Sequence, residues 1–278
     1  MTGTLILVPT PIGNLGDISP HAAQALAEAD FIAAEDTRVT LKLLNHLGLK
    51  KPMVSYYEHN KVTSGAAIVE RLRNGETCSL VTDAGTPAIS DPGEDLVRLC
   101  ADAGLPVTAI PGPCAAVTAL AISALPTGRF TFEGFLSINK KSRREHLDSL
   151  RNETRTMIFY EAPHKLIATL TDFRKTFGPE RRISLCRELT KLHEEVLRMT
   201  LDAAVSFYDK LEPKGEYVLI LEGARKVEEQ GPSMDACLQQ VRDLRDSGMS
   251  LKDAVKQVSK AKGIPKNTLY EAAISDQA

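Results

Sequence analysis

Short apolar segments alternate with helix-like segments through the first 125 residues, and this alternation restricts the fold more than any other feature of the sequence. The first apolar segment, TLILVP (4–9), precedes SPHAAQALAEAD (19–30), in which Ser19 suits a helix N-cap and Pro20 a first helical turn. Four more strand-and-helix pairs follow. Such alternation predicts an α/β domain with a largely parallel sheet and binding sites at the carboxyl ends of its strands.

The pattern changes beyond this region. Strand-like segments then follow one another at shorter separations, which predicts a second α/β domain with a mixed sheet. The polar segment KVEEQGPSMD contains a Gly-Pro turn signal and indicates a linker. Beyond it the periodicity is helical, and two short helices joined by AKGIPKN resemble a helix-turn-helix. The predicted divisions are two α/β domains, a linker and a small helical module, at 1–120, 121–226, 227–234 and 235–278.

The composition and the cysteine spacing argue against a uniformly basic nucleic-acid-binding protein, a metal site built on paired cysteines and a membrane protein. A chain of 278 residues with a net charge of −2 and 43% hydrophobic residues is typical of a globular protein without a uniformly basic surface. The five scattered cysteines include no C-x-x-C pair, so we predict no metal site, and their odd number suits a reducing cytoplasm. Because the sequence shows neither a signal-peptide pattern nor a membrane-length apolar run, we expect a cytoplasmic protein that does not engage a membrane.

Three predicted strands of the first domain end in loops that combine proline with glycine. These loops lie in LVPTPIGNLGD, VTDAGTPAISDPG and IPGPCAAV. Ordinary turn chemistry explains any one of them, but three loops at one edge of a parallel sheet favour a shared ligand cleft. Proline offers no N–H, and neither a dinucleotide fingerprint nor a phosphate loop is present, so the loops do not predict phosphate binding. A ligand that contains adenosine but no phosphate would suit these loops. S-adenosylmethionine is a ligand of this kind, although the residues alone do not distinguish it from other such ligands.

Eight motifs, in order from about residue 4 to residue 224, resemble the tetrapyrrole methylase superfamily. They are LVPTPIGNLGDIS, AEDTR, DAGTPAISDPG, IPGPCA, FEGFL, FYEAPHKL, CRELTKLHEE and KGEYVLILEG. More narrowly, they resemble the ribosomal RNA small-subunit methyltransferase I subfamily, whose tail the C-terminal segment also resembles. The resemblance implies two α/β domains with an S-adenosylmethionine cleft between them, and a homodimer. It also implies 2′-O-methylation of a cytidine in the decoding region of 16S rRNA, with the 30S subunit as partner.

The resemblance further implies which residues contact the cofactor. The first proline-and-glycine loop of this chain contains Pro9-Thr10-Pro11, whereas tetrapyrrole-type members have a glycine-richer turn at this place. This difference agrees with the RNA-modifying subfamily. Without an evident acid or histidine partner, the thiol of Cys114 is expected to pack rather than to attack. The implied contacts are Pro9, Pro11, Ile12, Asp83, Gly85, Thr86, Ile89, Cys114, Ala115, Tyr160, Ala162 and Leu189.

A ribose 2′-hydroxyl is a poor nucleophile at neutral pH, so we expect a proton acceptor at the site. Polar side chains that follow predicted strands are the candidates. We predict Glu58 or His59 as the acceptor, with Arg38 and Lys191 placing phosphate. The alternative is that these residues form ion pairs and caps at strand ends.

Two basic segments predict contact with RNA. NKKSRREH, expected in a polar loop, contributes Lys140, Lys141, Arg143 and Arg144. In the C-terminal module, Lys252, Lys256 and Lys260 recur every four residues and so share one helix face, with Lys266 beyond them. Basic stripes of this kind contact phosphates, although a solvated helix surface is the alternative. A tetrapyrrole methylase and a non-catalytic RNA-binding assembly protein are the competing predictions for the whole chain.

Overall fold

The computed structural model describes residues 2–225 and 233–276. It comprises two compact units, Met1–Ala224 and Arg225–Ala278. The predicted linker at 227–234 lies almost entirely outside the described residues. Among the described residues, no helix has the length and apolar character needed to cross a membrane.

The first sheet of the larger unit is parallel, with the strand order β3-β2-β4-β1-β5. Its strands are β1 (Leu5–Leu7), β2 (Phe31–Ala34), β3 (Met53–Ser55), β4 (Cys78–Val81) and β5 (Val107–Ala109). All residues of β2 and β4 are buried, because apolar clusters cover both faces of the sheet. Phe31 and Leu80 belong to one cluster, and their neighbours Ile32 and Val81 belong to the other.

Helices follow the strands of this sheet. Ser19 accepts a hydrogen bond from the Ala22 amide at 3.0 Å and begins the first helix, as predicted. The second helix begins at Thr37, where the Asp36 side chain caps it by accepting from the Arg38 amide at 2.8 Å. The helices are α1 (Pro20–Glu28), α2 (Thr37–His46), α3 (Lys61–Arg73), α4 (Glu94–Asp102) and α5 (Ala115–Ile122), with a short 3-10 turn at Leu15–Asp17.

The second sheet is mixed, as predicted, with the order β6-β7-β10-β8-β9. Strands β6 and β7 are parallel, and the other pairs are antiparallel. The strands are β6 (Phe130–Phe135), β7 (Thr156–Glu161), β8 (Arg182–Arg187), β9 (Glu195–Thr200) and β10 (Tyr217–Leu221). The helices of this half are α6 (Lys140–Ser149), α7 (Pro163–Phe177) and α8 (Leu201–Tyr208).

Two apolar clusters cover the faces of the second sheet. One contains Leu147, Leu166 and Leu201, which come from α6, α7 and α8. The other contains Ala119 of α5 packed with Ile158 and other residues of the sheet. Helix α5 follows the last strand of the first sheet but packs on the second sheet. This packing connects the two sheets, which belong to one compact unit.

Within residues 233–276, the smaller unit contains three helices, α9 (Met234–Asp246), α10 (Leu251–Lys262) and α11 (Lys266–Ser275). Ser250 caps α10 by accepting from the Asp253 amide, and Gly263, with φ +69°, ends it in the left-handed conformation. The three helices share an apolar core that includes Val241, Val255 and Leu269. The fold thus confirms two α/β sheets and a small C-terminal helical module.

Candidate active site

A cavity of about 540 Å³ lies where the carboxyl-end loops of the first sheet meet the second sheet. The loops after β1, β4 and β5 supply one wall, and β7, β8 and β10 with their adjoining residues supply the other. Most of the residues that the family resemblance assigned to the cofactor line this cavity: Ile12, Gly85, Thr86, Ile89, Cys114, Ala115, Tyr160, Ala162 and Leu189.

Hydrogen bonds join the three proline-and-glycine loops into one rim. The Thr10 amide donates to the Gly85 carbonyl at 2.9 Å, and the Gly85 amide donates back to the Thr10 carbonyl at 3.0 Å. The Thr10 hydroxyl donates to the Thr82 carbonyl at 3.0 Å, and the Thr86 hydroxyl donates to the Pro113 carbonyl at 2.8 Å. The loops therefore present a preformed surface to the cavity.

The loop after β4 contains four residues with a positive φ, and three of them lie close to the part of the loop that faces the cavity. Gly85 has φ +87°, and the non-glycine residues Ala88 and Ser90 have φ +68° and +67°. Such a conformation costs a non-glycine residue on the order of 1–3 kcal/mol and is kept only where the surroundings impose it. These turns bring Ile89 and Asp91 to the cavity wall.

Pro9, Pro11 and Asp83 do not line the cavity. Pro9 packs against Gly112, where an added Cβ would stand 2.8 Å from the Pro9 Cβ, so this proline holds the first loop against the third. The Asp83 carboxylate accepts from the Asp36 amide at 3.2 Å, at the end of the neighbouring strand. Direct cofactor contacts by these three residues stay predictions.

The charged side chains that line the cavity are acidic. They are Asp91, Glu161 and Glu216, and the described lining residues include no lysine or arginine. Glu161 accepts from the Ala162 amide and the Thr169 hydroxyl, whereas Glu216 pairs with Lys191 at 2.8 Å. Such a cavity repels phosphate and favours a cationic ligand.

Asp91 differs from the other two acids in having no partner among the described residues. Its carboxylate makes no hydrogen bond or ion pair within residues 2–225 and 233–276. Burial, reinforced by the negative charges of Glu35 and Asp83, raises its pKa to about 6. A desolvated carboxylate that faces a cavity without a counterion is suited to hold a cation.

Tyr160 supplies an aromatic wall. Its hydroxyl accepts a hydrogen bond from the Ala116 amide at 3.1 Å, and its ring meets Phe132 and Phe135 edge-on, with centroids 5.1 and 5.5 Å away. Burial raises the pKa of Tyr160 to about 12, so the hydroxyl stays protonated. An aromatic surface beside apolar residues is suited to a planar heterocycle.

The predicted proton acceptors lie away from the cavity lining. Glu58 and His59 are exposed in the turn between β3 and α3, and β3 is an edge strand separated from β4 by β2. Glu58 pairs with Lys61 at 2.7 Å, and the His59 ring contacts Tyr57 edge-on. Their catalytic role stays a prediction that this geometry does not support.

The two cations predicted to place phosphate already have carboxylate partners. Arg38 pairs with Asp36 at 2.6 Å, at the start of α2. Lys191 binds both Glu188 and Glu216, at 2.9 and 2.8 Å. Both assignments to phosphate stay predictions.

The basic segment NKKSRREH forms a helix, contrary to the expected polar loop. Asn139 accepts from the Lys141 amide at 2.9 Å and starts α6 at Lys140, which places Lys140, Lys141, Arg143 and Arg144 within the helix. Arg143 is largely packed, with a 14% exposed side chain bonded to Asp172 and Thr169. In the smaller unit, the predicted lysines are exposed and form no ion pair with any described residue: Lys252, Lys256, Lys260 and Lys266.

Several lining residues were not assigned from the sequence. Asp91 lies in DAGTPAISDPG, and Glu161 and His164 lie in FYEAPHKL, so their motifs were identified but their side chains were not. A comparison of the acidic and basic residues in these motifs would have indicated an acidic cavity. Phe135 and Glu216 also line the cavity, because the strand pairing of the second sheet places them there.

Comparison with known families defines the class of protein. The family described as "Tetrapyrrole (Corrin/Porphyrin) Methylases" matches residues 4–205, and the "RsmI C-terminal HTH domain" matches residues 233–277. Among solved structures, the methyltransferase CobJ has a TM-score of 0.59 at 19% identity, covering 82% of this chain and 97% of its own. Uroporphyrin-III C-methyltransferase from Thermus thermophilus, complexed with S-adenosyl homocysteine, has a TM-score of 0.54 at 16% identity, covering 79% and 97%. The chain has the tetrapyrrole methylase fold.

Full-length relatives narrow this class. The chain is 43% identical to ribosomal RNA small subunit methyltransferase I of Synechocystis sp. over 276 residues, covering 99% of both chains. Its identity to the protein of the same name from Halalkalibacterium halodurans is 48% over 271 residues, covering 96% of this chain and 93% of the relative. The chain belongs to the ribosomal RNA small subunit methyltransferase I family, which confirms the resemblance found in the motifs.

Proposed function

We propose that this protein uses S-adenosylmethionine to methylate the ribose 2′-hydroxyl of a cytidine in the decoding region of 16S rRNA. Membership of the family supports the coarser activity, methylation of small-subunit ribosomal RNA with S-adenosylmethionine. The observation that carries the proposal is the acidic cavity between the two sheets, which contains an unpartnered carboxylate and an aromatic wall.

The cavity residues suit the cofactor in their chemistry and charge. S-adenosylmethionine supplies a methyl group activated on a cationic sulfonium, and it also carries an ammonium group. Asp91 is placed to hold one of these cations, while Tyr160 and Ile89 offer apolar surface to the adenosine. Gly85 and Ala115 let the rim approach the ligand closely. Because the methyl group is already activated, the main task of these residues is alignment.

The substrate is recognised, in this proposal, by basic surfaces outside the cavity. The exposed lysine stripe on α10 faces solvent and has the charge that an RNA backbone requires. We propose that the protein acts in the cytoplasm as a homodimer on the 30S subunit. Light scattering of the purified protein at micromolar concentration tests the dimer, and a monomeric mass would contradict it.

The proposed reaction is tested with labelled S-adenosylmethionine. The protein is incubated with 30S subunits that lack the modification, with protein-free 16S rRNA, or with a porphyrinoid. Label in an alkali-resistant dinucleotide of 16S rRNA is expected, because a methylated 2′-oxygen cannot assist cleavage of the adjacent phosphodiester. Label in the macrocycle, or cofactor binding without transfer to RNA, would contradict the proposal.

Deleting residues 235–278 is expected to weaken RNA binding by at least tenfold and to leave cofactor affinity within about twofold. The reason is that the lysine stripe lies in the smaller unit, whereas every residue that lines the cofactor cavity lies in the larger one. Filter binding to 16S rRNA and calorimetry with S-adenosyl homocysteine measure the two affinities.

The variant K252E/K256E/K260E is the matched control, since it removes the stripe while keeping the helices. It should reproduce the loss of RNA affinity. Equal loss of RNA and cofactor binding on truncation would contradict the assignment of separate roles to the two units.

A further inference from the structure

A second cavity, of about 810 Å³, lies between α6 and α7 in the second half of the larger unit. None of its described lining residues also lines the cofactor cavity. We call it the α6–α7 groove. Its basic lining residues are Lys140, Arg143, Arg144, Arg151, Lys165 and Lys175.

The α6–α7 groove is strongly positive on a chain that is slightly negative. Among the described lining residues, six are basic and two, Asp148 and Asp172, are acidic, so the local net charge is +4. The whole chain has a net charge of −2. A local excess of this size on an otherwise acidic protein is typical of a surface that binds a polyanion.

The two carboxylates pair with the arginines but not with the lysines. Asp148 pairs with Arg144 and Arg151 at 3.5 and 2.9 Å, and Asp172 pairs with Arg143 at 2.7 Å. Lys140, Lys165 and Lys175 form no ion pair with any residue that the structure describes. Three of the four excess positive charges therefore lie on these lysines, and the fourth is shared by Arg144 and Arg151, which pair with the same carboxylate.

We propose that the α6–α7 groove binds the sugar-phosphate backbone of the RNA substrate, next to the active site but outside the cofactor cavity. This inference rests on the proposed function. Within this groove, the sequence predicted RNA contact by the basic residues of α6 alone, and this inference adds the lysines of α7. Lys165 and Lys175 are ten residues apart on α7, about 15 Å along the helix axis, which is long enough for contact with several successive phosphates.

A hydrogen-bonded chain fixes this groove beside the active site. Arg143 donates to the Thr169 hydroxyl at 2.8 Å, and Thr169 donates to Glu161, which lines the cofactor cavity. Glu161 in turn accepts from the Ala162 amide at 2.9 Å, at the start of α7. Arg143 therefore has a positioning role, and RNA contact falls to the unpaired lysines.

The test compares two full-length variants of equal charge. K140E/K165E/K175E reverses the groove lysines, and K42E/K50E/K210E makes the same change at exposed lysines that line neither cavity. The probes are a protein-free 16S rRNA transcript and 30S subunits. Affinity for S-adenosyl homocysteine and the melting temperature report whether either variant has lost its fold.

The groove variant is expected to bind both probes at least tenfold more weakly than the control variant. The slope of log affinity against log salt should fall by about 2–3, close to one for each lost phosphate contact. KM for RNA should rise more than kcat falls, and cofactor affinity should stay within twofold of the wild type.

Equal RNA affinity in the two variants would overturn the inference, and so would a loss confined to 30S subunits, since that pattern indicates a ribosomal protein as the occupant. These outcomes leave the proposed function intact if the wild type still methylates 16S rRNA. Failure of the wild type to methylate either RNA probe would overturn the proposed function and this inference with it.

Discussion

Replacing Gly85 by valine is expected to abolish cofactor binding. Gly85 lines the cavity with φ +87°, and both its amide and its carbonyl bond to Thr10. A β-branched side chain in this conformation costs on the order of 1–3 kcal/mol. Its γ carbons would also extend beyond a Cβ that already stands 3.5 Å from the side chain of Ile12, another residue of the cavity wall. Calorimetry with S-adenosyl homocysteine should show at least a hundredfold loss of affinity.

Gly104→Val is the matched control for this substitution. Gly104 also has a positive φ, +67°, but an added Cβ there meets no atom within 4 Å, and the residue does not line the cavity. The control should therefore share the backbone strain and the fall in melting temperature while keeping cofactor affinity. Wild-type affinity in G85V would show that the cofactor binds elsewhere.

Replacing Asp91 by asparagine is expected to weaken S-adenosylmethionine binding by ten- to a hundredfold. The substitution keeps the shape of the side chain but removes the negative charge that would face a cationic ligand, an interaction worth about 1.5–3 kcal/mol. Asp102→Asn, at the end of α4, is the control because it removes one charge away from the cavity lining. Unchanged affinity in D91N would exclude Asp91 as the residue that holds the cofactor's positive charge.

Two cofactor forms identify the cation that Asp91 holds. S-adenosyl homocysteine keeps the ammonium but lacks the sulfonium charge. A D91N loss that is larger for S-adenosylmethionine indicates contact with the sulfonium, whereas equal losses indicate the ammonium.

The affinity for S-adenosylmethionine should also fall as the pH decreases through about 6. Burial raises the pKa of Asp91 to about 6, and only its deprotonated form attracts a cation. The affinity is therefore full above this pH and lost below it, and a bound cation lowers the pKa so that binding releases a proton. D91N should show a flatter pH profile over the same range. An identical profile in the variant would assign the dependence to another group.

The sequence predicted the architecture because the signals for it are local. Apolar runs such as TLILVP, separated by capped helices, specify a parallel sheet without knowledge of distant contacts. The same logic placed three loops at one edge of the first sheet. The family resemblance assigned the cofactor contacts in these loops and in the second domain, and most of those residues line the cavity. The family resemblance supplied the name of the ligand.

Side-chain direction within a loop was not predictable in the same way. Asp83 and Asp91 both follow β4 in one motif, yet only Asp91 lines the cavity. The choice depends on backbone turns at Ala88 and Ser90, two residue types that rarely adopt a positive φ, so nothing in the sequence signals them.

The ion pairs between α6 and α7 were likewise not predictable from the sequence. Arg143 reads as one more cation in a basic run, but its partners Asp172 and Thr169 lie on α7, more than 25 positions away in the sequence. Lys165 and Lys175 look like ordinary helix-surface lysines until α7 is placed beside α6. A cluster of this kind exists only in the tertiary structure.

The position of α5 has a consequence for how the enzyme takes up its cofactor. This helix continues from the last strand of the first sheet but is packed against the second, and its start is bonded to Tyr160. Separating the two walls of the cavity would require exposing that packed apolar surface to water, at about 25 cal/mol for each Å². The helix therefore holds the two walls of the cavity together before the cofactor binds. Because the site is preorganised, little of the binding free energy is needed to assemble it.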